Sequence, residues 1–156
     1  MDQKVWATMG MAGFAESLRY SDLPPDVLRI LRRSFTDTMG VAAIGSTTDL
    51  AAIAGRGALA LFGPGSAGAS RMLMDGRRVS PAGAAMAGAF LVDSVDAHDG
   101  TSHNKGHAGS AIFPALLAVA DTMLAEGRQI TGQEFAVWLA VAYEICYRAG
   151  QVQHTT

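Results

Sequence analysis

The chain is 156 residues long, 49% hydrophobic and 17% charged, with a formal net charge of −2. That length and apolar content allow one domain with a buried core and exclude an intrinsically disordered chain. The charge is nearly balanced and the arginines come in pairs (Arg32-Arg33, Arg77-Arg78) rather than in a basic run, so nucleic acid is not an expected partner.

A first helix is predicted over residues 5–18, with Trp6, Met9, Gly13, Phe14 and Leu18 roughly on one side. Ser21-Asp22-Leu23-Pro24-Pro25-Asp26 is a start signal, because proline fits a first helical turn and an acidic residue there complements the helix dipole. Val27, Ile30, Leu31, Ser34, Phe35, Thr38, Val41 and Ala42 then recur at the helical period. That helix is expected to end near Ile44-Gly45, with glycine as a left-handed cap. Another covers residues 48–62 and stops at Gly63-Pro64-Gly65.

Asp75-Gly76 between two short apolar-containing runs predicts a small β-hairpin over about residues 70–80. Ser80-Pro81 reads as a cap followed by proline at the first position of a helix over 82–92. That segment is so rich in Gly and Ala that tertiary contact must hold it, and it permits close helix approach. A buried helix is predicted over 111–125, which places Pro114 in its first turn, and Gly127 ends it. Thr131-Gly132-Gln133-Glu134 is a capping box opening a last helix over 135–147. The fold class is mainly α: a bundle-like set of helices with one hairpin, forming a single helical domain over 1–156. The chain looks cut rather than finished, a portion of a larger all-helical domain.

The longest uncharged stretches, residues 57–70, 79–92 and 108–120, fall short of the roughly 20 residues of a spanning helix and contain Gly and Pro. No secretory leader is visible. A single cysteine, Cys146, rules out an intramolecular disulfide framework and fits a reducing compartment. The expected setting is cytoplasmic, with no membrane partner. The apolar excess is expected to pack against a subunit or a further domain.

Chemistry concentrates between two of the apolar helices. His98, His103 and His107 fall within ten residues, beside Asp93, Asp96, Asp99 and Lys105, with Gly100, Gly106 and Gly109 among them. Three readings are open. Imidazole exchanges protons at neutral pH, with Asp96 or Asp99 orienting a histidine. In this reading the helix N-terminus just after His107 would favour a substrate carboxylate, the glycines would admit a ligand, and Lys105 would add charge. A metal site could draw on His98, Asp99, His103 and His107, but the glycines argue for a loop, where the four-residue His spacing loses its helical meaning. Or the polar side chains merely satisfy backbone groups, the reading assigned to Asp93, Ser94 and Asn104. Elsewhere Cys146 and the methionines read as packing, and residues 63–68 as a turn lacking the Lys of a phosphate loop.

With these residues in view, the chain resembles the N-terminal part of the MmgE/PrpD family. The resemblance is carried by Leu23-Pro24-Pro25-Asp26-Val27, Asp37-Thr38-Met39-Gly40-Val41 and Gly83-Ala84-Ala85-Met86-Ala87-Gly88-Ala89. It continues through Asp93-Ser94-Val95-Asp96-Ala97-His98-Asp99, Lys105-Gly106-His107-Ala108-Gly109 and Ala142-Tyr143-Glu144-Ile145. It implies a large helical domain with a smaller lid domain inserted, usually as a homodimer. It also implies metal-free elimination, decarboxylation or epimerisation on small di- or tricarboxylates, with no cofactor.

In the family's loop, positions matching Asp96 and His107 belong to the active site. A threonine falls near Gly100 or Thr101, where the spacing here is one residue longer, and His103 matches a further loop histidine. Another histidine, lysines and a tyrosine follow beyond residue 156 in family members, so this chain by itself would carry half a site. The reading is therefore an N-terminal fragment of a lyase or isomerase, inactive alone. Asp96 and His107 take the acid/base roles; His98, Thr101, His103 and Lys105 contact substrate. The alternative is a non-catalytic helical interaction module, or degenerate remnant, that needs a partner subunit.

Overall fold

The structure is a computed structural model that describes residues 10–65, 68–102 and 106–154. Among the described residues, six α-helices and one two-stranded hairpin follow one another in the order expected of a mainly α chain. Helix α1 is Met11–Ser17; the Val5, Trp6 and Met9 part of the predicted first helix lies outside the described residues. After a 3-10 turn at Tyr20–Asp22, α2 runs Pro25–Gly45 with Pro25 in its first turn, as its start signal requires. Helix α3 is Asp49–Leu61, and the Thr48 hydroxyl accepts the Ala51 N–H at 3.2 Å as its cap.

The hairpin pairs β1, Ser70–Arg71, with β2, Arg78–Val79, in antiparallel register Ser70↔Val79. Its turn takes up Met74 and Gly76 in the left-handed region. Helix α4, Pro81–Asp93, is capped by Ser80, whose hydroxyl accepts the Gly83 N–H at 3.2 Å. Helix α5 is Ala108–Ala125 and α6 is Gly132–His154. The capping box closes both ways: the Glu134 N–H donates to Thr131 Oγ1 at 3.1 Å and the Thr131 N–H to Glu134 Oε2 at 2.9 Å. Gly127, at φ +83°, ends α5 as a left-handed cap.

Helix α5 is the centre of the molecule. Phe113, fully buried on it, packs with Leu18, Leu31 and Leu139 of the surrounding helices, and its ring meets those of Phe35 and Tyr143. A second core joins Ala58, Val79, Ala84, Ala87 and Ala118, and a third joins Val41 and Ala42 to Leu91 and Val92. By length and composition α5 could also cross a membrane, unlike the shorter uncharged run that the sequence shows. Its Ile112, Phe113, Pro114 and Ala118 are instead buried against the other elements. Its one ionised residue, Asp121, accepts the Arg71 backbone N–H at 2.8 Å and the Arg71 guanidinium, pinning the hairpin to α5.

Two expectations change. Helix α5 starts three residues earlier than predicted, so Pro114 lies in the second turn, buried inside the helix. The missing N–H there is accompanied by contact with α4: a Cβ on Gly88 would come within 2.7 Å of the Pro114 ring. Gly45 is not a left-handed cap either. It is helical and buried, and a Cβ on it would collide with the Leu91 carbonyl, so glycine is needed there for close approach to α4.

Gly45 and Gly57 therefore respond oppositely to alanine. Gly45→Ala is expected to destabilise the fold by about 1–3 kcal/mol through overpacking. Gly57→Ala, inside α3 with open space at its Cβ, should stabilise it by about 0.5–1 kcal/mol. Urea unfolding followed by circular dichroism measures both. The Asp121–Arg71 hydrogen bond also holds the Asp121 carboxyl below its ordinary value. A lowered folded-state value adds stability above about pH 4 that disappears as pH falls through the folded value. Asp121→Asn should flatten the acid limb of the stability–pH curve.

Candidate active site

The loop between α4 and α5 is organised by Asp99. Its Oδ1 accepts the Gly109 N–H in the first turn of α5 at 2.9 Å, and its Oδ2 accepts the Tyr143 hydroxyl of α6 at 2.6 Å. Burial, and then this bond to a carboxylate, push the Tyr143 phenol far above its ordinary value, so it stays a donor. The Asp99 backbone carbonyl lies 2.8 Å from His107 Nδ1. A carbonyl only accepts, so Nδ1 carries the hydrogen, and in the neutral ring Nε2 holds the lone pair.

Gly109 and Gly100 make room for these approaches. A Cβ on Gly109 would collide with the Asp99 carboxylate, and one on Gly100 would stand 3.0 Å from the His107 ring. The helix N-terminus that favours an anion is likewise served by the chain's own Asp99.

Asp96, His98 and His107 converge. One ligand-capable atom from each lies within 4.8 Å of the others, although 11 positions separate the first residue from the last. Asp96 reaches this point from a left-handed backbone, φ +48°, a conformation that aspartate tolerates better than most residues and that costs about 1–3 kcal/mol. Asp96 and His107 are exposed, whereas the His98 side chain is 1% exposed and lies edge-on to His107 with ring centroids 4.5 Å apart.

Asp93 Oδ1 comes within 3.1 Å of His98 Nε2, but not in hydrogen-bonding geometry, so neither ring nitrogen of His98 makes a hydrogen bond among the described residues. A buried polar atom left this way costs about 1–3 kcal/mol. Asp93, read from the sequence as structural, thus faces His98 across the loop.

The Thr101 N–H donates to the Gly106 carbonyl at 3.1 Å, closing the loop's base. His103 and Lys105, expected as substrate contacts, lie outside the described residues, as does Asn104. Of the metal set weighed from the sequence, Asp99 is committed to Gly109 and Tyr143, and Asp96 stands beside the histidines instead. Sequence reasoning missed Tyr143. Its only signal is a phenol among apolar residues, and its partner lies 44 positions away. Two open clefts, of about 960 and 820 Å³, border α2 and α6. The larger is lined mainly by apolar side chains such as Leu28, Phe35 and Leu124, and neither contains the histidines.

Removing the Tyr143 hydroxyl tests this frame. Tyr143→Phe strips Asp99 Oδ2 of its partner and is expected to cost about 1–3 kcal/mol. Amide exchange at Gly109 should quicken in that variant while the amides of α3 stay as protected as before.

Known proteins bear on the loop and its flanks together. The model of the MmgE/PrpD N-terminal domain matches residues 10–155. Cis-aconitate decarboxylase of Aspergillus terreus is 24% identical over 148 residues, covering 95% of this chain and 30% of the enzyme. Cis-aconitate decarboxylase-like protein oryM of Aspergillus oryzae is 26% identical over 149 residues, covering 94% of this chain and 30% of that protein. The chain thus spans 30% of the length of these curated relatives. No solved structure matches it. With nearly the whole chain matched by the family's N-terminal domain, the chain belongs to the MmgE/PrpD family.

Proposed function

We propose that this chain is the N-terminal, helical part of a lyase or isomerase that moves protons on a small di- or tricarboxylate, by dehydration, decarboxylation or epimerisation. The observation that carries this reading is the convergence of Asp96 and His107, with the His107 tautomer set by the Asp99 carbonyl. Nε2 of His107 takes the proton from carbon or oxygen as base, and the resulting imidazolium returns it as acid. Asp96 stands beside the ring, within reach to orient it or share the proton work. His98 forms the buried wall behind it, and Thr101, His103 and Lys105 contact substrate carboxylates. The reading involves no metal or cofactor in the reaction and a cytoplasmic setting.

The relatives named as cis-aconitate decarboxylases support a carboxylate substrate, and they are more than three times the length of the matched segment. Residues 1–156 alone are therefore expected to turn over little or no substrate, with the remaining groups supplied by further C-terminal chain. A second reading, a non-catalytic helical module that pairs with another subunit or with itself, is favoured by large apolar side chains left at the surface. Leu61 is 77% exposed, Ile44 63% and Ile53 56%.

The test is a longer chain carrying the C-terminal region of the same protein. With cis-aconitate and related di- and tricarboxylates as substrates, His107→Ala should lower turnover by about 10²–10⁴-fold with unchanged helical circular dichroism. Full activity in that variant would reject the role of His107. No turnover by the longer wild-type chain, together with a stable complex on sizing, would favour the interaction module.

A further inference from the structure

We propose that Asp96, His98 and His107 form a binding site for a borderline divalent transition metal, of which Zn²⁺ is the type. Two observations carry it independently. The first is the donor set: two imidazoles and a carboxylate with donor atoms within 4.8 Å of one another. Three protein ligands of this kind leave a further coordination position open to water or an anion. The second is His98, whose side chain is 1% exposed and whose ring nitrogens make no hydrogen bond among the described residues. Asp93 Oδ1 stands 3.1 Å from Nε2 without hydrogen-bonding geometry, so the buried ring, edge-on to His107, keeps an unbonded nitrogen that an ion could engage.

The surroundings supply the orientation that such sites need. The Asp99 carbonyl takes His107 Nδ1–H, which fixes the tautomer and leaves Nε2 to face the metal. Asp99 is in turn held by Gly109 and Tyr143. Donor atoms around a tetrahedral ion with bonds near 2.0–2.1 Å stand about 3.3 Å apart. Exposed Asp96 is the donor with room to move inward by that margin, while His98 is fixed by burial and His107 is held by its bond to the Asp99 carbonyl. Oxygen-preferring Mg²⁺ and Ca²⁺ are disfavoured by two nitrogen donors.

A metal here uses the His107 lone pair that the proposed proton transfer requires, so the ion acts as an inhibitor of that chemistry. The site itself does not rest on that reading, because it follows from the donor set and the buried His98 ring.

The experiment uses the whole 156-residue chain, stripped with chelator, titrated with Zn²⁺ alone against a chromophoric chelator, and in parallel with Co²⁺ followed by visible absorption. One equivalent of Zn²⁺ should bind, and Co²⁺ should give the intense bands of a four- or five-coordinate ion rather than the weak ones of its hexaaqua form. His98→Ala should weaken Zn²⁺ at least about tenfold. If that variant loses its helical signal, Asp96→Asn decides, since asparagine tolerates the left-handed turn and removes the charge. It too should weaken Zn²⁺ severalfold.

Equal affinity in Asp96→Asn and the unaltered chain would place the ion elsewhere on the histidine-rich loop and overturn the proposal. So would a failure of the unaltered chain to bind one equivalent saturably. Both readouts are taken without substrate, so their outcome is separate from whether the longer enzyme turns over a carboxylate.

Discussion

Asp99 is the residue on which the rest of the loop depends. Its carboxylate is shared between the first turn of α5 and the Tyr143 hydroxyl of α6, and its backbone carbonyl takes the Nδ1–H of His107. One residue therefore closes a helix terminus, ties the loop to a helix over forty residues downstream and sets the His107 tautomer. Each bond also restricts the others. A side chain at position 109 would collide with the carboxylate at the α5 terminus, and one at position 100 would crowd the His107 ring at 3.0 Å.

The core makes that arrangement rigid. Helices α4 and α5 approach closely enough for Gly88 to meet Pro114, and Phe113 sits between Phe35 and Tyr143. The aromatic stack therefore carries the position of Tyr143 into the centre of α5, the same helix whose N-terminus Asp99 caps. Packing and the polar loop are one structure: moving α6 relative to α5 would draw the Tyr143 hydroxyl from Asp99. Gly88 on α4, a poor helix former in isolation, matters here because it lets α5 come near enough for the loop's two ends to share partners.

The two chemical readings of the cluster use one set of atoms in two ways. As an acid/base site, the group needs the His107 lone pair free for a proton. As a metal site, it needs the same lone pair for the ion. His98 takes a different part in each: the buried wall behind His107 in the first, and in the second a donor whose ring nitrogens make no hydrogen bond among the described residues, with Asp93 Oδ1 3.1 Å from Nε2.

Local chemistry explains what was legible in the sequence. The Thr131–Glu134 box, the Ser80-Pro81 start, the Gly127 stop and the hairpin around Asp75-Gly76 all form through partners within a few residues, so spacing alone reveals them. The concentration of His and Asp between two apolar helices likewise marks the loop as the place of chemistry. Which of those residues meet could not be read from spacing. The Asp99 side chain looked like a candidate ligand or orienter but is spent on a helix N-terminus and a distant phenol, and it is the Asp99 backbone carbonyl that meets His107. Gly45 looked like a cap but is a contact, and Pro114 looked like a first-turn residue but lies a turn deeper. In each case the deciding partner, Gly109 with Tyr143, Leu91, or Gly88, lies ten or more positions away. Hydrogen bonds and close contacts between such partners exist only once the helices have packed, so the tertiary structure alone decided them.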